Sequence, residues 1–160
     1  LAEQARRLSP ITVPDDGRLR VGLLWAASEW DPSRSIPWPC LEPLLSLPGL
    51  RCFSLQQGPA AGQATIEPLH RRTRTIEAAA AAMLQMDLVI SIDGMPAHLA
   101  ASLGRPTWLL LKHEADWRWM EQRKDSPWYP TMRLFRQPAP GDWRGLLRQV
   151  AREAALLLED

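Results

Sequence analysis

The sequence is poor in the features that usually announce chemistry. Only two cysteines, Cys40 and Cys52, occur in 160 residues, and no second pair stands at metal-ligand spacing. That excludes a disulfide framework or a cysteine-rich zinc site, and leaves both thiols as small buried hydrophobes suited to a reducing cytoplasm. No segment approaches the roughly 18 consecutive apolar residues needed to cross a bilayer, and no basic stretch followed by an apolar run opens the chain. The expectation is a soluble, cytoplasmic domain without a transmembrane segment. Charge of one sign is also lacking: 19 Lys+Arg face 18 Asp+Glu, too even a balance to direct the molecule at nucleic acid or an anionic membrane. There is no GxGxxG after a strand, no Walker lysine loop, no GxSxG elbow and no HExxH. Nicotinamide or flavin binding of the usual kind, kinase, hydrolase and zinc-peptidase chemistry therefore lose their sequence support.

What is present is an alternation of short apolar runs and helical stretches. Residues 1–19, with the turn signal Pro14 to Gly17, read as a linker or N-terminal extension, and the domain spans 20–160. Arg20 to Trp25 (RVGLLW) is a continuous apolar run, as in a strand covered on both faces. A short helix is expected over Pro39 to Leu47, limited by Pro43. A second strand follows at Arg51 to Gln56, ended by the Gly- and Pro-rich QGPAAGQ. Thr75 to Met86 (TIEAAAAAMLQM) joins a capping residue, an early Glu and strong helix formers. Asp87 to Asp93 (DLVISID) is a third buried strand, then a turn at Gly94 and a helix to Leu103. Thr107 to Leu111 is a fourth strand, Met132 to Phe135 an edge strand, and Asp142 to about Leu158 a closing amphipathic helix. Strand and helix at these intervals predict a doubly wound, parallel α/β sheet.

In such a sheet, ligands bind outside the carboxyl ends of the strands, where the strand order reverses. Two loops leave such ends. The first carries Ser28, Ser33, Arg34 and Ser35; a guanidinium among hydroxyls there suits a phosphate, although a solvated loop has the same composition. The second, Ser91 to Gly104, runs from a buried strand through Asp93, Gly94 and Met95 into a helix near Pro96. Main-chain N–H groups and the helix dipole at such a start attract anions, and His98 is as readily a packing residue as a ligand contact. A third constellation, Asp116 to Pro130, holds three Trp and one Tyr among charges; it suits either a structural clasp or stacking on a flat ring.

The stretch DLVISIDGMPAHLAASLGRPTWLLL, Asp87 to Leu111, resembles the heptosyltransferase family, glycosyltransferase family 9. Closer still is the resemblance to bacterial glycosyltransferase-like proteins in which such a domain follows tetratricopeptide repeats. Their pattern is echoed in VGLLWAASEWDPSRSIPW, LPGLRCFSLQQGPAA and DWRWMEQRKDSPWYPTMRLFRQPAPGDW. The resemblance thus runs in order from Arg20 to Trp143. It implies a Rossmann-like three-layer α/β/α parallel sheet, the C-terminal half of a GT-B glycosyltransferase, binding the nucleotide-diphosphate sugar donor of hexosyl or heptosyl transfer. No metal and no further cofactor is implied.

Carried over residue by residue, the resemblance sets Arg34, with Ser35 beside it, against donor phosphate and Asp93, Gly94, Met95 and His98 on the donor-binding turn. The catalytic base of the family lies on the N-terminal domain, so no catalytic residue is assigned here. The implied partner is that domain, or tetratricopeptide repeats, in the full-length protein. Two positions depart from the family: Gly94 stands where relatives carry Ser or Thr, and Lys112-His113 where they carry Pro-Phe or Gly-Pro. A rival reading keeps the fold and discards the chemistry, leaving a degenerate interaction module whose Trp residues make the contact surface.

Overall fold

A computed structural model describes residues 1–8, 11–29 and 31–160. Part of the expected linker, at 9–10, and Trp30 in the loop expected to face a phosphate lie outside the described residues. Six strands, β1 (Leu19–Leu24), β2 (Leu50–Ser54), β3 (Glu67–Pro68), β4 (Leu88–Ile92), β5 (Thr107–Leu111) and β6 (Met132–Arg136), pair in the order 3-2-1-4-5-6. Every neighbouring pair is parallel. This is the strand order of the Rossmann fold, and it reverses direction between β1 and β4.

The apolar runs are continuous because both faces of the sheet are covered. On β1, Val21, Leu23 and Trp25 turn toward one layer while Leu24 turns toward the other. The first layer is formed by α2 (Glu42–Leu45) and α5 (Trp143–Glu159), whose Leu44, Leu146, Leu147 and Val150 meet Ile90, Trp108 and Phe135 from the sheet. The second is formed by α1 (Ala2–Leu8), α3 (Ile76–Met83) and α4 (Met95–Ser102), with Phe53, Leu55 and Val89 beneath them. Gly22 lies under this layer in close contact with it: a Cβ there would stand 2.7 Å from Leu55 Cδ1 and 3.3 Å from Met86 Cγ, so both side chains would have to shift. Small alanines on α3 let it sit close to the strands, and Thr75 caps it by accepting from the Ala78 N–H at 3.1 Å.

The structure departs from expectation at several places. The segment read as a linker is packed rather than free: Ala5 and Val13 are buried, and Gln85 at the end of α3 accepts from the Val13 N–H (2.9 Å) and donates to the Ile11 carbonyl (2.6 Å). The helix expected over 39–47 is a 3-10 turn, Trp38–Leu41, running into the single turn of α2. Strand β3 is too short to leave a pattern in the sequence.

The crossover from β5 to β6 carries no α-helix. Its place over Leu109, Leu111 and Leu134 is taken by Trp119, which is fully buried, with Tyr129 packed alongside. Just ahead of β6 the chain doubles back, so that the Lys124 carbonyl accepts from the Leu134 N–H at 2.8 Å and Asp125 bridges Arg133.

Both cysteines are free; Cys40 is buried and Cys52 half-buried, its thiol pushed up to about 12 by desolvation. Cys52 does not serve as a thiolate at neutral pH.

Candidate functional site

The carboxyl ends of β1 and β4, the point of strand-order reversal, open into a cavity of about 420 Å³. Its polar rim comes from three places. The loop after β1 contributes Ser28 and Arg34, the turn after β4 contributes Asp93, Gly94 and Met95, and the approach to α3 contributes Thr73, Arg74 and Thr75. Its walls are apolar, built from Leu24, Leu55, Ile76, Ala79, Met83 and Leu99. An apolar cleft with a few convergent polar groups is the usual form of a small-molecule site.

Arg34 ties the two sheet-end loops together. Its Nη1 donates to the Asp93 carbonyl at 2.9 Å, and its Nε lies 3.3 Å from Asp31 Oδ2. Asp31 in turn accepts from Ser33 Oγ and from Lys112 Nζ, the latter at 3.3 Å. The Ser33 hydroxyl, with Lys112 and Arg34 beside it, holds the Asp31 carboxyl below its ordinary range. Lys112 is thus absorbed in a cluster that fixes the base of the Arg34 loop.

Gly94 is extended, with φ 170° and ψ 176°, and caps α4 without a side chain. Pro96 has no N–H, and the Ala97 N–H is taken by the Gly94 carbonyl at 3.2 Å. The donors left at this helix start are the Gly94 and Met95 N–H groups, beside the exposed Met95 side chain. Gly94, Met95 and Arg34 line one cavity, so the start of α4, with its dipole, and a guanidinium border the same space.

Of the six residues singled out in the sequence, Arg34, Asp93, Gly94 and Met95 come together on this cavity. Ser35 does not join them: its hydroxyl accepts from the Ala27 N–H at 2.8 Å and shapes the loop from behind. His98 also stays outside the lining. Its Nδ1 is 2.9 Å from the Tyr129 hydroxyl and its ring stacks on Trp119, centroids 5.5 Å apart. The Trp119 Nε1 then donates to Asp93 Oδ2 at 3.0 Å, so the aromatic segment works as a clasp on the turn.

Three lining residues were not legible in the sequence. Gln56 Oε1 accepts from the Trp25 and Ala26 N–H groups, both at 2.9 Å, and its Nε2 donates to the Ala26 carbonyl at 3.0 Å. Gln57 and Arg74 also line the cavity. Two glutamines after a strand are ordinary loop composition, and only the pairing of β1 with β2 brings them to the cavity. Among the described residues, the lining holds no His, Cys, Glu or Lys, and its one carboxylate, Asp93, is engaged by Trp119. No three His, Cys, Asp or Glu side chains converge on a point that could hold a metal ion among the described residues. No described helix is long and apolar enough to cross a membrane.

Comparison with solved structures supplies a relative for this architecture. The chain superposes on the glycosyl transferase family 9 protein of Veillonella parvula DSM 2008 with a TM-score of 0.65, over 99% of its own length and 51% of that chain, at 15% identity. The fold matches that of about half of this neighbour. At that identity the likeness concerns the fold alone. Among curated proteins, Protein FlbA of Caulobacter vibrioides is 27% identical over 147 residues, 82% of this chain and 24% of that protein. The chain thus spans about a quarter of that relative and half of the structural neighbour. No family model matches it.

Proposed function

We propose that this chain binds a nucleoside-diphosphate sugar as the donor half of a two-domain glycosyltransferase. The observation that carries the reading is the cavity at the β1/β4 reversal, where Arg34 and the N-terminal turn of α4 face the same space. A diphosphate seated there takes main-chain hydrogen bonds from Gly94 and Met95 and charge from Arg34, while the apolar walls accept the flat base. The chain's own contribution to transfer is to hold the donor and to stabilise the departing nucleoside diphosphate. The acceptor and the general base come from a second, N-terminal half, because the lining offers no unengaged acid or base. Tetratricopeptide repeats are the further partner that the sequence resemblance suggests.

Isothermal calorimetry with ADP-, UDP- and GDP-sugars on the chain and on Arg34→Ala tests the reading. Binding of one of them, weakened about ten- to hundredfold by the substitution, is expected. No binding of any at millimolar concentration rejects it.

A second reading, an interaction module, draws on Trp117 and Trp128, which are 75% and 59% exposed. Large apolar rings left in solvent suit a protein contact. It predicts that Trp117→Ala and Trp128→Ala weaken capture of the remainder of the full-length protein without changing nucleotide binding.

A further inference from the structure

A second cation, Arg74, stands at the cavity where the chain approaches α3. The loop between β3 and α3 reads His70-Arg71-Arg72-Thr73-Arg74, and Arg74 lines the cavity next to Thr75 and Ile76 at the start of α3. Among the described residues Arg71 and Arg74 make no hydrogen bond or ion pair, and Arg72 reaches only the Thr12 carbonyl at 3.5 Å. Glu77 stands in the first turn of α3, but among the described residues no carboxylate forms an ion pair with Arg71, Arg72 or Arg74. By contrast, Arg51, on the neighbouring strand β2, is paired with both Asp16 and Glu67.

The loop is nevertheless fixed. Gln57 Nε2 donates to the His70 carbonyl (2.9 Å), the Thr73 carbonyl (3.1 Å) and the Thr73 hydroxyl (3.1 Å), and that hydroxyl donates to the Leu69 carbonyl (3.0 Å). Thr73 is buried, so the residue immediately before Arg74 cannot drift. A free guanidinium on an anchored loop loses less freedom on meeting a ligand than one on a loose loop, and its fork suits phosphate or carboxylate oxygens.

We propose that Arg74 is a second anion contact of this cavity besides Arg34, and that the cavity therefore selects nucleotides with two anionic centres over those with one. This rests on the donor-site reading and goes beyond it by giving Arg74 a role in selection. Gln57 is then a positioning residue for Arg74.

The test is calorimetry on the chain with ADP, GDP and UDP, each against its monophosphate, for the parent, Arg34→Ala, Arg74→Ala and Gln57→Ala. The parent is expected to prefer the diphosphate of its base by tenfold or more. Arg74→Ala is expected to lose about ten- to hundredfold in diphosphate affinity, to lose the preference over the monophosphate, and to keep the parent's thermal midpoint, since Arg74 is exposed. Gln57→Ala is expected to weaken the diphosphate by a smaller factor. Unchanged diphosphate affinity in Arg74→Ala beside a loss in Arg34→Ala overturns the second contact and leaves the donor site standing. Failure of the parent to bind any of the six nucleotides overturns both.

Discussion

The Arg34 guanidinium donates to the main-chain carbonyl of Asp93 at 2.9 Å, joining the loop that leaves β1 to the turn that leaves β4. These two strands are neighbours in the sheet yet lie far apart in the chain, and their loops diverge at the reversal point. The same side chain that lines the cavity also closes the gap between the loops. Arg34→Ala is expected to cost about 1.5 to 3 kcal/mol of folding stability, the range for a hydrogen bond from a charged group, as read by urea unfolding. Arg34→Lys keeps the charge but lacks the fork that spans Asp93 and Asp31, and is expected to recover nucleotide affinity only in part.

Gly94 is the most direct place to strengthen the site. Its φ of 170° is open to any residue, and a Cβ there meets only Pro96 Cδ, at 3.7 Å. Gly94→Ser therefore adds a capping hydroxyl without strain, with a stability gain of a few tenths of a kcal/mol in thermal melts. If a phosphate sits at the α4 turn, the hydroxyl also tightens nucleotide binding by calorimetry; weaker binding than in the parent places the anion elsewhere.

The aromatic clasp gives a purely structural prediction. Trp119 is fully buried and touches both His98 and Asp93. Trp119→Ala is expected to cost about 3 to 5 kcal/mol. Tyr129→Phe, which removes only the hydroxyl facing His98 Nδ1, is expected to cost about 1 kcal/mol. Comparable losses from the two substitutions in chemical denaturation argue that the ring is not what holds the crossover.

Gln56 is buried and satisfies main-chain groups on both sides of the β1 exit. Gln56→Glu keeps the accepting oxygen but sets a second one against the Ala26 carbonyl, and burial disfavours its charge. A loss of more than about 2 kcal/mol in denaturant unfolding, partly recovered at acid pH as the carboxyl protonates, is expected.

Asp31 sets a pH dependence with a defined sign. Its carboxyl is held below the ordinary value by the Ser33 hydroxyl and then by Lys112 and Arg34. A depressed folded-state value adds stability that is fully present above the unfolded value, about 3.9, and disappears as pH falls through the folded one. Thermal midpoints measured from pH 7 downward are expected to drop in the parent below about pH 4, and Asp31→Asn is expected to flatten this part of the curve. A parallel fall in both proteins assigns the acid loss to other carboxylates.

How far the sequence foretells this molecule depends on how local each determinant is. Thr107–Leu111 is read to the residue, because a five-residue apolar run between a Pro and a Lys has few other uses. The cap at Thr75 and the turn at Gly94 are equally local. The short α1 is not legible, since what orders it is burial of Ala5 against α3, while Gln85, over seventy residues away, holds the Ile11 and Val13 main chain that follows. The site divides in the same way. Asp93, Gly94 and Met95 adjoin a strand end and can be named from it, whereas Gln56, Gln57 and Arg74 belong to the cavity only through strand pairing. His98 looks like a ligand contact in one dimension and becomes a packing residue once Tyr129 and Trp119 are brought to it.

The two outer strands carry a consequence for behaviour at high concentration. An open sheet exposes two rows of unpaired peptide groups, each an invitation for another molecule to add a strand. Here β3 is two residues long and one of them, Pro68, has no N–H to offer. At the other margin the doubled-back chain already occupies the Leu134 N–H and bridges Arg133. Neither margin offers a long unpaired template. Tearing away the 124–125 segment would uncover a five-residue strand, so damage to the aromatic crossover should show itself as aggregation before it shows as loss of helix.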